Sequence, residues 1–230
     1  MSRFTRLEVL TSMLRVGAIP IFHQSDPRQA TGVVDALAAG GAEVIEFTNR
    51  GDAAHEVFGE LERTARAASS PVMLGAGSVV DGGTAALYIN LGAAFIVSPS
   101  FSDEVARVCN RRRVAYLPGC ATATEVAVAE TAGCEIVKVF PGASVGGPNF
   151  VAALLGPSPS SRLMPTGGVA PTRESLEAWF LAGAACVGLG SQLIPPREVA
   201  DGDWDAITER MAETRRITHM VRPASEENWA

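Results

Sequence analysis

The sequence predicts an α/β fold: a single-domain (β/α)8 TIM barrel with an N-terminal helix and an extra C-terminal helix. Three observations carry that prediction. Eight short apolar runs alternate with longer, Ala-rich amphipathic stretches, the pattern of parallel strands joined by right-handed crossovers. Each repeat takes roughly 20–30 residues, which suits a compact barrel of about 200–250 residues. The first strand runs into His23-Gln24-Ser25-Asp26-Pro27, so it lacks the GxGxxG turn of a dinucleotide-binding open sheet. The barrel domain is expected over residues 1–221, with a tail over 222–230.

Ala18–Phe22 is the first strand, and Asp26-Pro27 then supplies an N-cap and a first-turn proline for a helix near Gln29–Ala39. Val44–Thr48 leads into the helix Ala53–Ala68, and Val72–Gly75 into Gly83–Asn90. Phe95–Ser98 is followed by Asp103–Arg112, whose first turn carries Asp103 and Glu104, favourable to the helix dipole. Val114–Pro118 precedes Ala123–Ala132, where Thr122 stands three residues ahead of Glu125, the capping-box spacing. Ile136–Phe140, Leu163–Thr166 and Ala185–Leu189 are the last three strands. Pro148–Leu155 and Thr172–Ala182 lie between them, and a final helix covers about Trp204–Met220. Gly40, Gly92, Gly133 and Gly183 end helices, where a left-handed residue is cheapest in glycine.

Composition narrows the function. Hydrophobic residues make up 47 % and charged residues 19 %, enough apolar material for one large core and too much for a disordered chain. Lys and Arg number 19 against 25 Asp and Glu, a net charge of −6. That balance excludes a nucleic-acid footprint; the densest basic run, Arg111-Arg112-Arg113, is short enough to be a solvated helix end. No apolar run reaches a membrane span, and Arg3, Arg6, Glu8 and Arg15 interrupt the first residues where a signal h-region would lie. Cys109, Cys120, Cys134 and Cys186 form no CxxC pair, and His23, His55 and His219 share no ligand spacing, so no metal is expected. A cytoplasmic protein is expected.

Functional residues of such a barrel gather at the C-terminal ends of its strands. Lys138 stands in Ile136-Val137-Lys138-Val139-Phe140, where period two puts Ile136, Lys138 and Phe140 on the barrel-facing side. Desolvation favours the neutral form of a buried amine, which is a nucleophile able to form a Schiff base. The plainer role is a lysine that reaches water at the mouth or pairs with an acid. Glu46 occupies the matching position in Val44-Ile45-Glu46-Phe47-Thr48 and needs a partner or a proton. Nucleophile and general acid/base together are what carbinolamine chemistry requires. Arg50 emerges just past that strand, with a planar fork suited to a carboxylate or phosphate. Thr166-Gly167-Gly168 and Gly190-Ser191 end the seventh and eighth strands, the usual place of a phosphate cup. Gly75-Ala76-Gly77-Ser78 is a similar nest after strand three. These residues leave three functions open: a Schiff-base aldolase, a phosphosugar isomerase or epimerase with Glu46 as base, and a non-catalytic binding subunit holding a buried ion pair.

The ordered motifs narrow the choice. They are Gly17-Ala18-Ile19-Pro20-Ile21, Gly41-Ala42-Glu43-Val44-Ile45-Glu46-Phe47-Thr48-Asn49-Arg50, Gly75-Ala76-Gly77-Ser78-Val79, Ile96-Val97-Ser98-Pro99, Leu117-Pro118-Gly119, Thr124-Glu125, Val137-Lys138-Val139-Phe140-Pro141 and Met164-Pro165-Thr166-Gly167-Gly168-Val169. From about Met13 to about Thr214 the chain resembles the class I 2-keto-3-deoxy-6-phosphogluconate (KDPG) / 4-hydroxy-2-oxoglutarate (KHG) aldolases. The resemblance implies Lys138 as the Schiff-base lysine and Glu46 as the acid/base. It implies Arg50 and the Ser78 region as the carboxylate site, with Pro99 and Phe140 as walls of the pyruvyl pocket. Thr166, Gly167, Gly168, Gly190 and Ser191 would line the distal end, where the phosphorylated branch of the family seats a phosphate. It further implies a small-molecule keto-acid substrate, no cofactor, no metal and a cytoplasmic homotrimer. The chain departs from the family pattern at Ser78 (commonly Thr), at Pro141-Gly142-Ala143 (commonly Pro-Ala-Glu), at Gln192 (often aromatic) and at His23-Gln24, where a basic residue is common.

Overall fold

The computed structural model describes residues 2–222. The described chain opens with helix α1 (Arg6–Val16), then β1 (Ala18–Phe22), α2 (Pro27–Ala39), β2 (Val44–Thr48), α3 (Ala54–Ala67), β3 (Met73–Gly77) and α4 (Gly82–Leu91). It continues with β4 (Phe95–Ser98), α5 (Asp103–Arg112), β5 (Ala115–Cys120), α6 (Ala123–Thr131), β6 (Val137–Val139) and α7 (Gly147–Leu155). It ends with β7 (Leu163–Pro165), α8 (Arg173–Leu181), β8 (Val187–Leu189), α9 (Pro196–Asp201) and α10 (Trp204–Val221).

The strands lie in the order β7-β6-β5-β4-β3-β2-β1-β8, all parallel. The ring closes between β7 and β8 through the parallel bridge Thr166–Gly188 and the bond from Ala185 N to Leu163 O at 2.9 Å. The expected (β/α)8 barrel, its leading helix and its extra C-terminal helix are all present. Several element ends move. β3 runs on to Gly77, so the glycine-rich stretch read as a turn is itself strand, paired along its length with β2. β5 likewise runs on to Cys120, whereas β6 and β8 keep only three residues each. The short helix α9, opened by two prolines, has no apolar periodicity long enough to predict it.

Local chemistry sets the helix starts. Thr5 and Glu8 form a reciprocal capping box on α1, and Asp26 accepts from Arg28 N at 2.7 Å at the start of α2. At α6 Thr122 Oγ1 accepts from Glu125 N, and the Glu125 carboxylate accepts from Ala121 N at 2.8 Å. After α2 the left-handed turn falls one residue later than expected, at Gly41 (φ 89°), because Gly40 stays helical at φ −74°.

Strand alternation divides the core in two. Outward residues such as Ile45, Phe47, Val137 and Val139 pack under the helices. Inward residues Ile19, Val44, Phe95, Leu117 and Ile136 form a separate inner cluster, closed from the N-terminal side by Val9, Leu10 and Met13 of α1. Gly75 makes room at the centre: a Cβ there would overlap the ring of Phe95. All four cysteines are buried free thiols, and burial pushes each up to about 12. Arg222, placed by the sequence reading in the tail, is held against α1 by bonds to Leu14 O at 2.6 Å and Arg15 O at 2.8 Å. The rest of that expected tail, 223–230, lies outside the described residues.

Candidate active site

Glu46 and Lys138 stand on β2 and β6 with their side chains directed into the barrel. They are 1 % and 6 % exposed, and Lys138 Nζ lies 3.9 Å from Glu46 Oε1. Among the described residues, neither Glu46 oxygen accepts a hydrogen bond. Burial raises the Glu46 carboxyl above its ordinary value; the cations of Lys138 and Arg50 pull the other way without reversing the shift. Lys138 Nζ also sits 5.0 Å from the centre of the Phe140 ring, whose π face attracts a cation. The glutamate fits because β3 presents a glycine beside it. A Cβ at Gly77 would overlap Glu46 Oε1, so this close approach admits no larger residue without a shift.

Above this pair opens a cavity of about 250 Å³ at the C-terminal mouth of the barrel. Every residue expected at the site lines it. Arg50 and Ser78 stand on the β2 and β3 side, Pro99 follows β4, and Phe140 follows β6. Thr166, Gly167 and Gly168 follow β7, and Gly190 and Ser191 follow β8. Ser78 holds a left-handed backbone at φ 58°, uncommon for a residue with a side chain and concentrated at functional turns. The lining also includes Ile21, Thr48, Val169, Gly188 and Gln192. Of these, Ile21 and Thr48 were readable from strand alternation, since they share faces with Ile19 and Glu46. His23 is not among the lining residues; its Nδ1 lies 3.3 Å from Thr48 O.

The distal wall is built from main chain. Among the described residues, the N–H groups of Gly168 and Val169 and those of 190–192 have no acceptor among the main-chain bonds. Residues 190–194 form a helical turn, with Leu193 N and Ile194 N bonded to Gly190 O at 2.9 and 3.1 Å, so the free N–H groups of Ser191 and Gln192 are first-turn donors. Gly167 and Gly168 take φ of 88° and 83°, and a Cβ at Gly168 would run into Ala143. Thr166 Oγ1 is buried in the same wall without a hydrogen-bond partner. Two rows of free N–H groups and an unpaired hydroxyl make a receptor for an anion or a polyol. Among the described residues no group of three His, Cys, Asp or Glu could hold a metal ion, and no helix is long and apolar enough to cross a membrane.

A closed parallel barrel carrying these residues in these motifs defines the class as a (β/α)8-barrel aldolase, an aldehyde-lyase. The model of the KDPG and KHG aldolase family matches residues 10–210, and the chain belongs to that family. The 2-dehydro-3-deoxy-phosphogluconate aldolase of Pseudoalteromonas atlantica is 34 % identical over 191 residues, covering 83 % of this chain and 86 % of that protein. The enzyme of the same name from Pseudomonas aeruginosa is 33 % identical over 218 residues, covering 92 % and 96 %. Among solved structures, the KDPG aldolase of Legionella pneumophila, with pyruvate captured at low pH as a covalent carbinolamine intermediate, superposes with a TM-score of 0.79. It is 29 % identical, and the match covers 86 % of this chain and 93 % of that one.

Proposed function

We propose that the protein cleaves a 2-keto-4-hydroxy acid to pyruvate and an aldehyde through a Schiff base on Lys138. The observation that carries this reading is the 3.9 Å approach of Lys138 Nζ to Glu46 Oε1 beneath one cavity. In the neutral form, Lys138 Nζ adds to the C2 ketone, and a proton delivered to the oxygen gives a carbinolamine. Glu46 supplies a proton to that hydroxyl, water leaves, and an iminium forms. The C3–C4 bond then breaks: its electron pair moves into the iminium, and the C4 hydroxyl proton passes to Glu46 as the aldehyde departs. The resulting enamine takes a proton at C3, and water releases pyruvate and restores the amine. A carboxyl held above its ordinary pKa suits such two-way proton traffic, worth roughly 10²–10⁴-fold in rate. Arg50 and Ser78 hold the keto-acid carboxylate, and Pro99 and Phe140 wall the pyruvyl end.

The donor rows at 168–169 and 190–192 favour a substrate with a phosphate at its far end, KDPG-like, over the shorter 4-hydroxy-2-oxoglutarate. Steady-state kinetics with both acids, reading pyruvate release, test the reading. Turnover of both is expected, with the higher kcat/KM for the phosphorylated acid. Release of pyruvate from neither would contradict the proposal, and equal kcat/KM values would remove the phosphate assignment. A homotrimer in the cytoplasm, with no cofactor, completes the reading; the family resemblance supports it, and light scattering in solution tests the trimer.

A further inference from the structure

Arg50 stands at the start of a loop that little else holds. Gly51 behind it has φ 84° and open space where a side chain would begin, and α3 starts at Ala54 without a side-chain cap. Among the described residues, one side-chain hydrogen bond reaches the segment 49–53: Tyr88 Oη donates to Asn49 Oδ1 at 2.8 Å. Asn49 N donates to Gly77 O at 2.8 Å and Arg50 N to Thr48 O at 2.9 Å, which ties the start of the loop to the ends of β2 and β3.

The tyrosine is itself immobilised. It lies on α4, is fully buried, and meets Phe58 of α3 edge-on, with ring centres 5.1 Å apart. Phe58 in turn packs 6.1 Å from Phe47 of β2, the residue after Glu46. Packing asks only for the ring, which a phenylalanine would supply. The hydroxyl costs free energy to bury unless it finds a partner, and the partner it has is Asn49. Burial pushes the phenol up to about 12, so it remains a donor at neutral pH.

We propose that Tyr88 is a positioning residue for substrate binding: through Asn49 it fixes the main chain from which Arg50 reaches the keto-acid carboxylate. The proposal rests on the reading of Arg50 given above. A guanidinium holds a carboxylate through two parallel bonds only in a narrow geometry, so a loosened anchor must be ordered again each time substrate binds.

Pyruvate KM and kcat in the condensation direction test the idea. Tyr88→Phe keeps the ring and is expected to raise pyruvate KM roughly three- to tenfold while kcat stays within about twofold. Asn49→Leu removes the acceptor from the other side and is expected to do the same, so the test survives if one variant folds poorly. In an Arg50→Ala background neither change should move KM by more than about 1.5-fold, because the arm being positioned is gone. A wild-type KM in both single variants, or an equal rise in the Arg50→Ala background, overturns the positioning role while leaving Arg50 in place. An Arg50→Ala enzyme with unchanged pyruvate KM overturns the carboxylate reading itself, and the proposal with it.

Discussion

The two ends of the barrel interior are built on the same inward-facing positions of the same strands, yet they differ in kind. At the N-terminal floor, Val44 and Ile136 meet Ile19, Phe95 and the α1 residues Val9, Leu10 and Met13 in a wholly apolar cluster. Two residues further along those strands the inward positions are Glu46 and Lys138, with Thr48 and Thr166 nearby, all buried. The floor is an apolar cluster, whereas among the described residues the mouth leaves both Glu46 oxygens and Thr166 Oγ1 without hydrogen-bond partners. Such a mouth is costly to fold and is tolerated on a rigid apolar base. The same dry base is what perturbs the carboxyl above it. On the proposed roles, the stabilising floor and the reacting pair are separated by one strand period.

Substitutions at the two ends should separate the same way. The largest effect is expected from Glu46→Gln, which keeps the shape but removes the proposed proton carrier. Its kcat should fall roughly 10²–10⁴-fold while pyruvate binding persists, as read by turnover beside pyruvate titration. Gly77→Ala comes next, since its Cβ displaces the Glu46 carboxylate. A misplacement of about 1 Å can cost on the order of 10²-fold in kcat, with Lys138 untouched. At the floor, Ile136→Ala should cost about 2–5 kcal/mol in denaturant unfolding while kcat at a temperature where the variant is folded stays near wild type. A large kcat loss there would erase the proposed division between the two ends.

The smallest effect is electrostatic. Because Glu46 holds its proton more tightly folded than unfolded, the folded state binds more protons between pH 4.5 and the raised value. Stability contributed by that proton is complete below the ordinary carboxylate pKa and is lost as pH rises through the folded one. Glu46→Gln removes this loss, so its Tm relative to wild type should climb as pH rises above about 4.5. Parallel Tm profiles would mean the carboxyl is not perturbed.

The contrast between the ends also explains what could be read in the sequence. Strand alternation exposed the anomaly directly: a Lys or Glu on an otherwise apolar inward face has no packing reason to be there. β2 and β4 fall at the expected residues, their β-branched and aromatic side chains setting them apart from the small residues or turn residues on either side. β3 extends past its expected end because Gly75 and Gly77 resemble turn residues in sequence, yet serve in the strand as space for Phe95 and Glu46. Their reason lies on neighbouring strands, out of reach of any local pattern. The Tyr88–Asn49 bond is hidden for the same cause, joining residues 39 positions apart that no period relates. The free N–H rows were legible only as glycines at two strand ends; their lack of partners is a property of the closed ring.

In the proposed reaction one inward lysine takes the substrate carbon. Borohydride reduction in the presence of pyruvate, followed by peptide mass mapping, tests it most directly. A reduced pyruvyl adduct is expected on the peptide that carries Lys138, and none in Lys138→Ala. No adduct in the wild-type protein, or one of equal yield in Lys138→Ala, would contradict it.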